Sequence, residues 1–182
     1  MDEAMDNSVK YSPLILIVDD DTDMRRVMEL TLQSRGWRVD QAANGANALV
    51  KINASKPDLI VIDLMMPGMS GTEFCKRLIN DMKMDDLPVL LISAANDKSA
   101  VVRDFINLPL KHKDFLKKPF QPDELLNNVE AVFRQSGLQF PADHPVSQKP
   151  PPTDQDFNPE LKSEISGGKL DTPQNQGYRI LI

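Results

Sequence analysis

Three aspartates stand in a row at Asp19-Asp20-Asp21, directly after the apolar run Leu14-Ile15-Leu16-Ile17-Val18. A second apolar run, Leu59-Ile60-Val61-Ile62, ends in Asp63. A third, Val89-Leu90-Leu91-Ile92, ends in Ser93, and the short Phe115-Leu116 leads into Lys117-Lys118-Pro119. If these ends converge, several carboxylates, one hydroxyl and one ammonium group share a crevice. Crowded carboxylates repel and raise one another's pKa. A hard divalent cation relieves that repulsion, and Mg²⁺ suits oxygen ligands while keeping some of its waters. A carboxylate can also act as a nucleophile, as where an aspartyl phosphate forms. Metal and lysine would then neutralise a transferring phosphoryl group, and the serine hydroxyl could donate to one of its oxygens.

The elements that must position these groups are legible as an alternation of periods. After the first apolar run, Met24, Val27, Met28, Thr31 and Leu32 recur at helical spacing, with Gly36 where a helix stop is expected. Trp37, Val39 and Gln41 alternate with Arg38 and Asp40, the pattern of a half-exposed edge strand. Ala46, Leu49 and Ile52 mark a second helix, closed before Pro57. Phe74, Cys75, Leu78, Ile79 and Met82 mark a third, a stretch from about Asp97 to Ile106 a fourth, and Leu125 to Phe133 a fifth. Strands alternating with helices predict a doubly wound α/β fold of five parallel strands. The continuous apolar runs are what burial on both faces requires. Ligands of such folds bind beyond the carboxyl ends of the strands, where the aspartates, Ser93 and Lys118 fall.

Composition narrows the choices. The 182 residues suit one domain plus a tail, and 41% hydrophobic residues can build one core. A net charge of -6 argues against unaided binding to nucleic acid or an anionic membrane. The single cysteine, Cys75, excludes an internal disulfide and any multi-cysteine zinc site, and points to a reduced, cytoplasmic protein. With only His112 and His144, a histidine-rich metal site is excluded. Residues 1–12 read as a polar, flexible N-terminus with no signal-peptide pattern. Beyond Ser136 the chain is rich in proline and polar residues and cannot bury enough apolar surface to offset its ordering entropy. The expected organisation is therefore a folded domain over 13–136 and a disordered tail over 137–182. Tyr178 to Ile182 is the one more apolar stretch in that tail.

Each piece alone has a bland explanation. Asp21 or Thr22 can cap a helix, Asp63 can be a turn residue before Met65-Met66-Pro67-Gly68, Ser93 can bond nearby backbone, and Lys118 can be a surface lysine. Cys75 sits on an apolar stripe and reads as core. The basic run Lys111-His112-Lys113 reads as a solvated face. What the bland readings leave unexplained is the conjunction at four successive element ends.

Residues from about Pro13 to Ser136 resemble the receiver domain of two-component response regulators. The resemblance rests on Leu14 to Asp21 (LILIVDDD), Pro57 to Gly71 (PDLIVIDLMMPGMSG), Pro88 to Ala94 (PVLLISA) and Lys117 to Phe120 (KKPF), in that order and spacing. It implies the strand order 2-1-3-4-5. It also implies that Asp63 is the phosphoacceptor and that Asp19 and Asp20, with the backbone carbonyl of Met65, hold Mg²⁺ beside it. Ser93 is then the hydroxyl residue that contacts the phosphoryl group, Lys118 the lysine that pairs with its oxygens, with a cis Lys118-Pro119 peptide, and Phe115 the aromatic switch. The implied partners are a sensor histidine kinase or phosphotransfer protein and an unknown downstream protein, with no direct nucleic-acid or membrane contact. The implied activity is signalling rather than enzymatic turnover, with catalysis limited to phosphorylation and dephosphorylation at Asp63. No second folded domain is legible, so the expectation is a single-domain regulator or a fragment of a longer one.

The sequence departs from the family pattern in one place. Phe105 to Asp114 carries Pro109 and lacks the small glycine-alanine turn usual before the last strand. Two other readings compete. A haloacid-dehalogenase-type phosphatase would use a D-x-D-x-T pattern; Asp19 and Asp21 fit, but Asp23 stands in place of the threonine, and the Asp63 segment is left without a role. A scaffold with a vestigial site is disfavoured because every key residue type is present.

Overall fold

The computed structural model describes residues 12–94 and 100–138. Five strands and five helices alternate: β1 (Leu14–Val18), α1 (Thr22–Gln33), β2 (Arg38–Ala42), α2 (Gly45–Ala54), β3 (Leu59–Asp63), α3 (Gly71–Asn80), β4 (Val89–Ser93), α4 (Ala100–Ile106), β5 (Lys113–Lys117) and α5 (Pro122–Gln135). The strands form one parallel sheet in the order β2-β1-β3-β4-β5. The doubly wound α/β expectation and its strand order are borne out.

The sheet is covered on both sides, and side chains along each strand alternate between the two cores. Leu16, Val18, Ile60, Ile62, Val89 and Leu91 face one way, against Ile52 of α2, Phe74 and Leu78 of α3 and Phe105 of α4. Ile15, Ile17, Leu59, Val61, Leu90 and Ile92 face the other, against Met28 and Leu32 of α1 and Val129 and Phe133 of α5. Every residue of β3 and β4 is buried. Each such aliphatic side chain is worth about 1.5–3 kcal/mol of transfer free energy, so the middle of the sheet is a rigid platform. β2 and β5 are the half-exposed edges.

Helix boundaries follow local chemistry. Asp21 caps α1 by accepting from the N–H groups of Asp23 (2.8 Å) and Met24 (3.1 Å). Gly36, with φ of 75°, turns the chain after that helix into the left-handed region. At α5 the Glu124 carboxylate accepts from the Gln121 N–H at 2.6 Å, and Pro122 stands where a missing N–H costs nothing.

The helical phase is where the structure corrects the sequence reading. Val27 is 52% exposed and Met28 and Leu32 carry the burial of α1. In α2 the buried alanine is Ala48 rather than Ala46. Met82 lies beyond the end of α3 yet packs against the core. Trp37 precedes β2 instead of belonging to it, and meets Phe133 edge-on at 5.8 Å between ring centroids. The Cys75 thiol is core, as expected, and burial pushes it up to about 12.

The contacts of the domain extend slightly past both expected boundaries. The Ser12 hydroxyl donates to the Gly36 carbonyl at 2.6 Å, and Leu138 packs beside the α1/α5 core. The expected flexible N-terminus up to residue 11, the start of the fourth helix at 97–99 and the tail from 139 lie outside the described residues. Among the described residues no helix is long and apolar enough to cross a membrane.

Candidate functional site

β1 and β3 are adjacent and parallel, so their carboxyl ends bring Asp19 and Asp63 together. β4 lies on the other side of β3, with Asp63 in register with Ile92, one residue before Ser93. β5 follows, and the Lys118 N–H donates to the Ser93 carbonyl at 2.8 Å, which fixes the start of the cis Lys118-Pro119 segment. Lys118 then reaches back across the sheet. Its Nζ donates to Asp63 Oδ2 at 2.9 Å and to Asp19 Oδ2 at 3.0 Å. One ammonium thus bridges two carboxylates that are themselves almost inaccessible, Asp19 at 0% and Asp63 at 8% exposure.

The other carboxylate oxygens are engaged by backbone. Asp19 Oδ1 accepts from the Asp21 N–H at 2.8 Å, and Asp63 Oδ1 accepts from the Met65 N–H at 3.2 Å. Burial raises the pKa of Asp19, and the Asp21 N–H and Lys118 oppose that rise. For Lys118 burial alone would favour the neutral amine, but the hydrogen bonds it donates to Asp63 and Asp19, with their negative charges, outweigh it and its pKa rises. The lysine is therefore held as a cation where it can meet an anionic group.

Asp20 is exposed at the rim, and Asp19, Asp20 and Asp63 each offer an oxygen within 4.8 Å of the others. An octahedral Mg²⁺ with oxygens at about 2.1 Å spaces its ligand oxygens roughly 3 to 4.2 Å apart. Hard oxygen donors at this spacing fit that ion with only slight closure. Asp21, by contrast, spends its carboxylate on the α1 cap. That removes the second aspartate of the phosphatase pattern from the cluster.

Ser93 is completely buried at the end of β4. Phe115, in the middle of β5, is half-buried and packs beside the α2/α3/α4 core. Met65 is 64% exposed on the loop after β3, whereas Met66 is buried and Met69 partly so. The stretch before β5 corrects the solvated-face reading of Lys111-His112-Lys113. Only Lys111 is exposed there, and it pairs with Asp85 at 3.1 Å. His112 and Lys113 are half-buried, and Lys113 Nζ donates to the Leu108 carbonyl. Leu110 is buried and Leu108 packs against the same core, so apolar side chains anchor the segment that lacks the small turn.

Two residues of the site carried no role in the sequence reading. Gly71 opens α3 against the end of β3: a Cβ there would lie 2.5 Å from the Asp63 carbonyl oxygen and 3.1 Å from Leu64 Cα. Its only sequence signal is a glycine eight residues after the aspartate. Arg25 donates from Nη1 to the Asp19 carbonyl at 2.7 Å. Its signal is a cation one helical turn beyond the aspartates.

The family model of the response regulator receiver domain matches residues 15–130. The chain belongs to that family. The receiver is 37% identical over 123 residues to the transcriptional regulatory protein AfsQ1 of Streptomyces coelicolor, covering 68% of this chain and 52% of that one. It is 35% identical over 128 residues to the alkaline phosphatase synthesis transcriptional regulatory protein PhoP of Bacillus subtilis, covering 70% and 51%. Among solved structures it is similar to chemotaxis protein CheY4 of Vibrio cholerae, with 30% identity, a TM-score of 0.61 and coverage of 67% of this chain and 99% of that one. The chain spans about half the length of the curated relatives it matches. Receivers act in signalling with histidine kinases as partners, and they bind Mg²⁺ at an acidic cluster; in this receiver the matching cluster is Asp19, Asp20 and Asp63.

Proposed function

We propose that this receiver takes a phosphoryl group from a histidine kinase or phosphotransfer protein onto Asp63. The observation that supports it most is the Lys118 bridge: one held cation against Asp63 and Asp19, in a crevice whose third carboxylate completes an oxygen cluster. An Asp63 oxygen attacks phosphorus. The new O–P bond forms as the bond from phosphorus to the donor's leaving atom breaks, and the donor leaves with that electron pair. Lys118 moves its hydrogen bonds from Asp63 to the incoming phosphoryl oxygens, and the Ser93 hydroxyl donates to another. Asp19, Asp20, Asp63 and the Met65 carbonyl would hold Mg²⁺, which supplies further positive charge to the transferring group.

Incubation with acetyl phosphate should yield one hydroxylamine-labile adduct by intact-mass analysis when Mg²⁺ is present, and none when EDTA removes it. Equal adduct with and without EDTA would remove the metal from this reading. No adduct in either case would favour the vestigial scaffold.

The output we assign to the face formed by α4, β5 and α5. Phosphorylation draws the Ser93 hydroxyl toward the new oxygens, and Phe115, two residues before Lys117, the register partner of Ser93, turns into the space vacated. Charge-assisted hydrogen bonds worth about 1.5–3 kcal/mol each can reverse a modest population ratio without remodelling the fold. NMR with beryllofluoride as phosphoryl mimic should therefore shift Phe115 and residues of α5. Shifts confined to the loops around Asp63 would exclude this face. A downstream protein is the expected reader, and nucleic-acid contact has no part in this assignment to the receiver.

A further inference from the structure

We propose that Arg25 is a positioning residue for the metal end of the site: its guanidinium fixes the backbone turn that carries Asp19 and Asp20, and Mg²⁺ affinity depends on that fork. The proposal rests on the reading of Asp19 and Asp20 as metal ligands.

The turn between β1 and α1 must do two things at once. It must hold Asp19 inside the crevice, and it must aim the exposed Asp20 at the same point. Asp19 is fastened from within by the Asp21 N–H and by Lys118. Asp20 is exposed at the rim, so the path of its backbone decides where its carboxylate points. That backbone is fastened from outside by Arg25. Nη1 donates to the Asp19 carbonyl at 2.7 Å, Nη2 to Thr22 Oγ1 at 3.1 Å and Nε to Gln41 Oε1 at 3.3 Å. One planar group thus joins the end of β1, the first residue of α1 and the edge strand β2. The Asp19 N–H, in turn, donates to the Ala42 carbonyl at the end of β2. A lysine has no fork and cannot reproduce three fixed donors.

The electrostatic expectation has the opposite sign, which makes the idea testable. Arg25 is a positive charge bonded to the backbone of a metal-site residue, so by charge alone its removal should tighten a divalent cation. As a positioning residue its removal should weaken that cation, as loss of groups that orient metal ligands does by about 10–100-fold. Mg²⁺ titration of the full chain, followed by NMR on folded-state signals well below each variant's melting temperature, separates the two. Arg25→Ala and Arg25→Lys should both weaken Mg²⁺ binding by about tenfold. The neighbouring Arg26→Ala, which loses only its pair with Glu29, should bind like the parent. If Arg25→Ala does not fold, Arg25→Lys carries the test. Unchanged or tighter binding in Arg25→Ala, or parental binding in Arg25→Lys, overturns the proposal. Asp20→Asn keeps the two readings apart: if it loses Mg²⁺ while the Arg25 variants do not, the metal site stands and Arg25 is only structural. If Asp20→Asn binds like the parent, the metal reading fails and the proposal with it.

Discussion

Asp63→Asn should accept no phosphoryl group from acetyl phosphate, while the parent acquires a single hydroxylamine-labile adduct. The loss is expected to be complete because the change removes the nucleophile itself. A carboxamide nitrogen or oxygen is a poor nucleophile toward phosphorus, and the NH₂ of asparagine would have to face a donor whichever way it turned, either the Lys118 ammonium or the Met65 N–H. The effect on folding should be far smaller. Lys118 loses one of two carboxylate partners, but the crowding among Asp19, Asp20 and Asp63 is relieved at the same time. Circular dichroism and thermal melting of the variant should therefore resemble the parent. If Asp63→Asn still acquires the labile adduct, the acceptor is another residue, and the role given to the Lys118 bridge goes with it.

Gly71→Ala should lower both stability and the phosphorylation rate, although it changes no titratable group. Helix propensity favours alanine over glycine by up to about 1 kcal/mol in a helix interior. The steric term is larger. The added Cβ would lie 2.5 Å from the Asp63 carbonyl oxygen, an approach that side-chain carbons do not make. Both facing atoms are backbone, and the Gly71 N–H is tied to the Leu64 carbonyl at 3.0 Å, so α3 cannot simply drift away. β3 cannot yield either, because it is paired on both sides by β1 and β4. Overpacking of this kind costs about 1–3 kcal/mol. The net loss should appear as a Tm lowered by about 4–8 °C. The shift lands on Asp63, where displacement of a reacting group by about 1 Å can cost on the order of 100-fold in rate. A slowdown of at least about tenfold is expected. A variant with parental Tm and parental rate would mean that the α3–β3 approach is softer than its geometry implies.

The side chains proposed to act at Asp63 were legible because each stands at or just beyond the end of a strand-like run. Leu14 to Val18, Leu59 to Ile62 and Val89 to Ile92, alternating with helical stripes, read as strands buried on both faces, and a parallel sheet delivers their carboxyl ends to one edge. Asp19, Asp63, Ser93 and Lys118 follow from that, and so does the strand order once the receiver motifs are matched. Folding class and the identity of the site are properties of local pattern, and local pattern is what a sequence displays.

The structure alone decided what depends on contacts distant along the chain. Lys118 bridges residues 99 and 55 positions away; the Lys118-Pro119 pattern marks the lysine but does not show that it joins two carboxylates. Gly71 and Arg25 act on backbone carbonyls, which no side-chain motif encodes. The helical phase was also left open, since residues at i, i+3 and i+4 define a stripe only to within one position. Packing on a twisted sheet chose Met28 over Val27 and Ala48 over Ala46. The segment before β5 likewise had no family turn to read. There the burial of Leu110 and the Lys111–Asp85 pair set the path, because an apolar side chain and a charge find their partners across the fold and not along the chain.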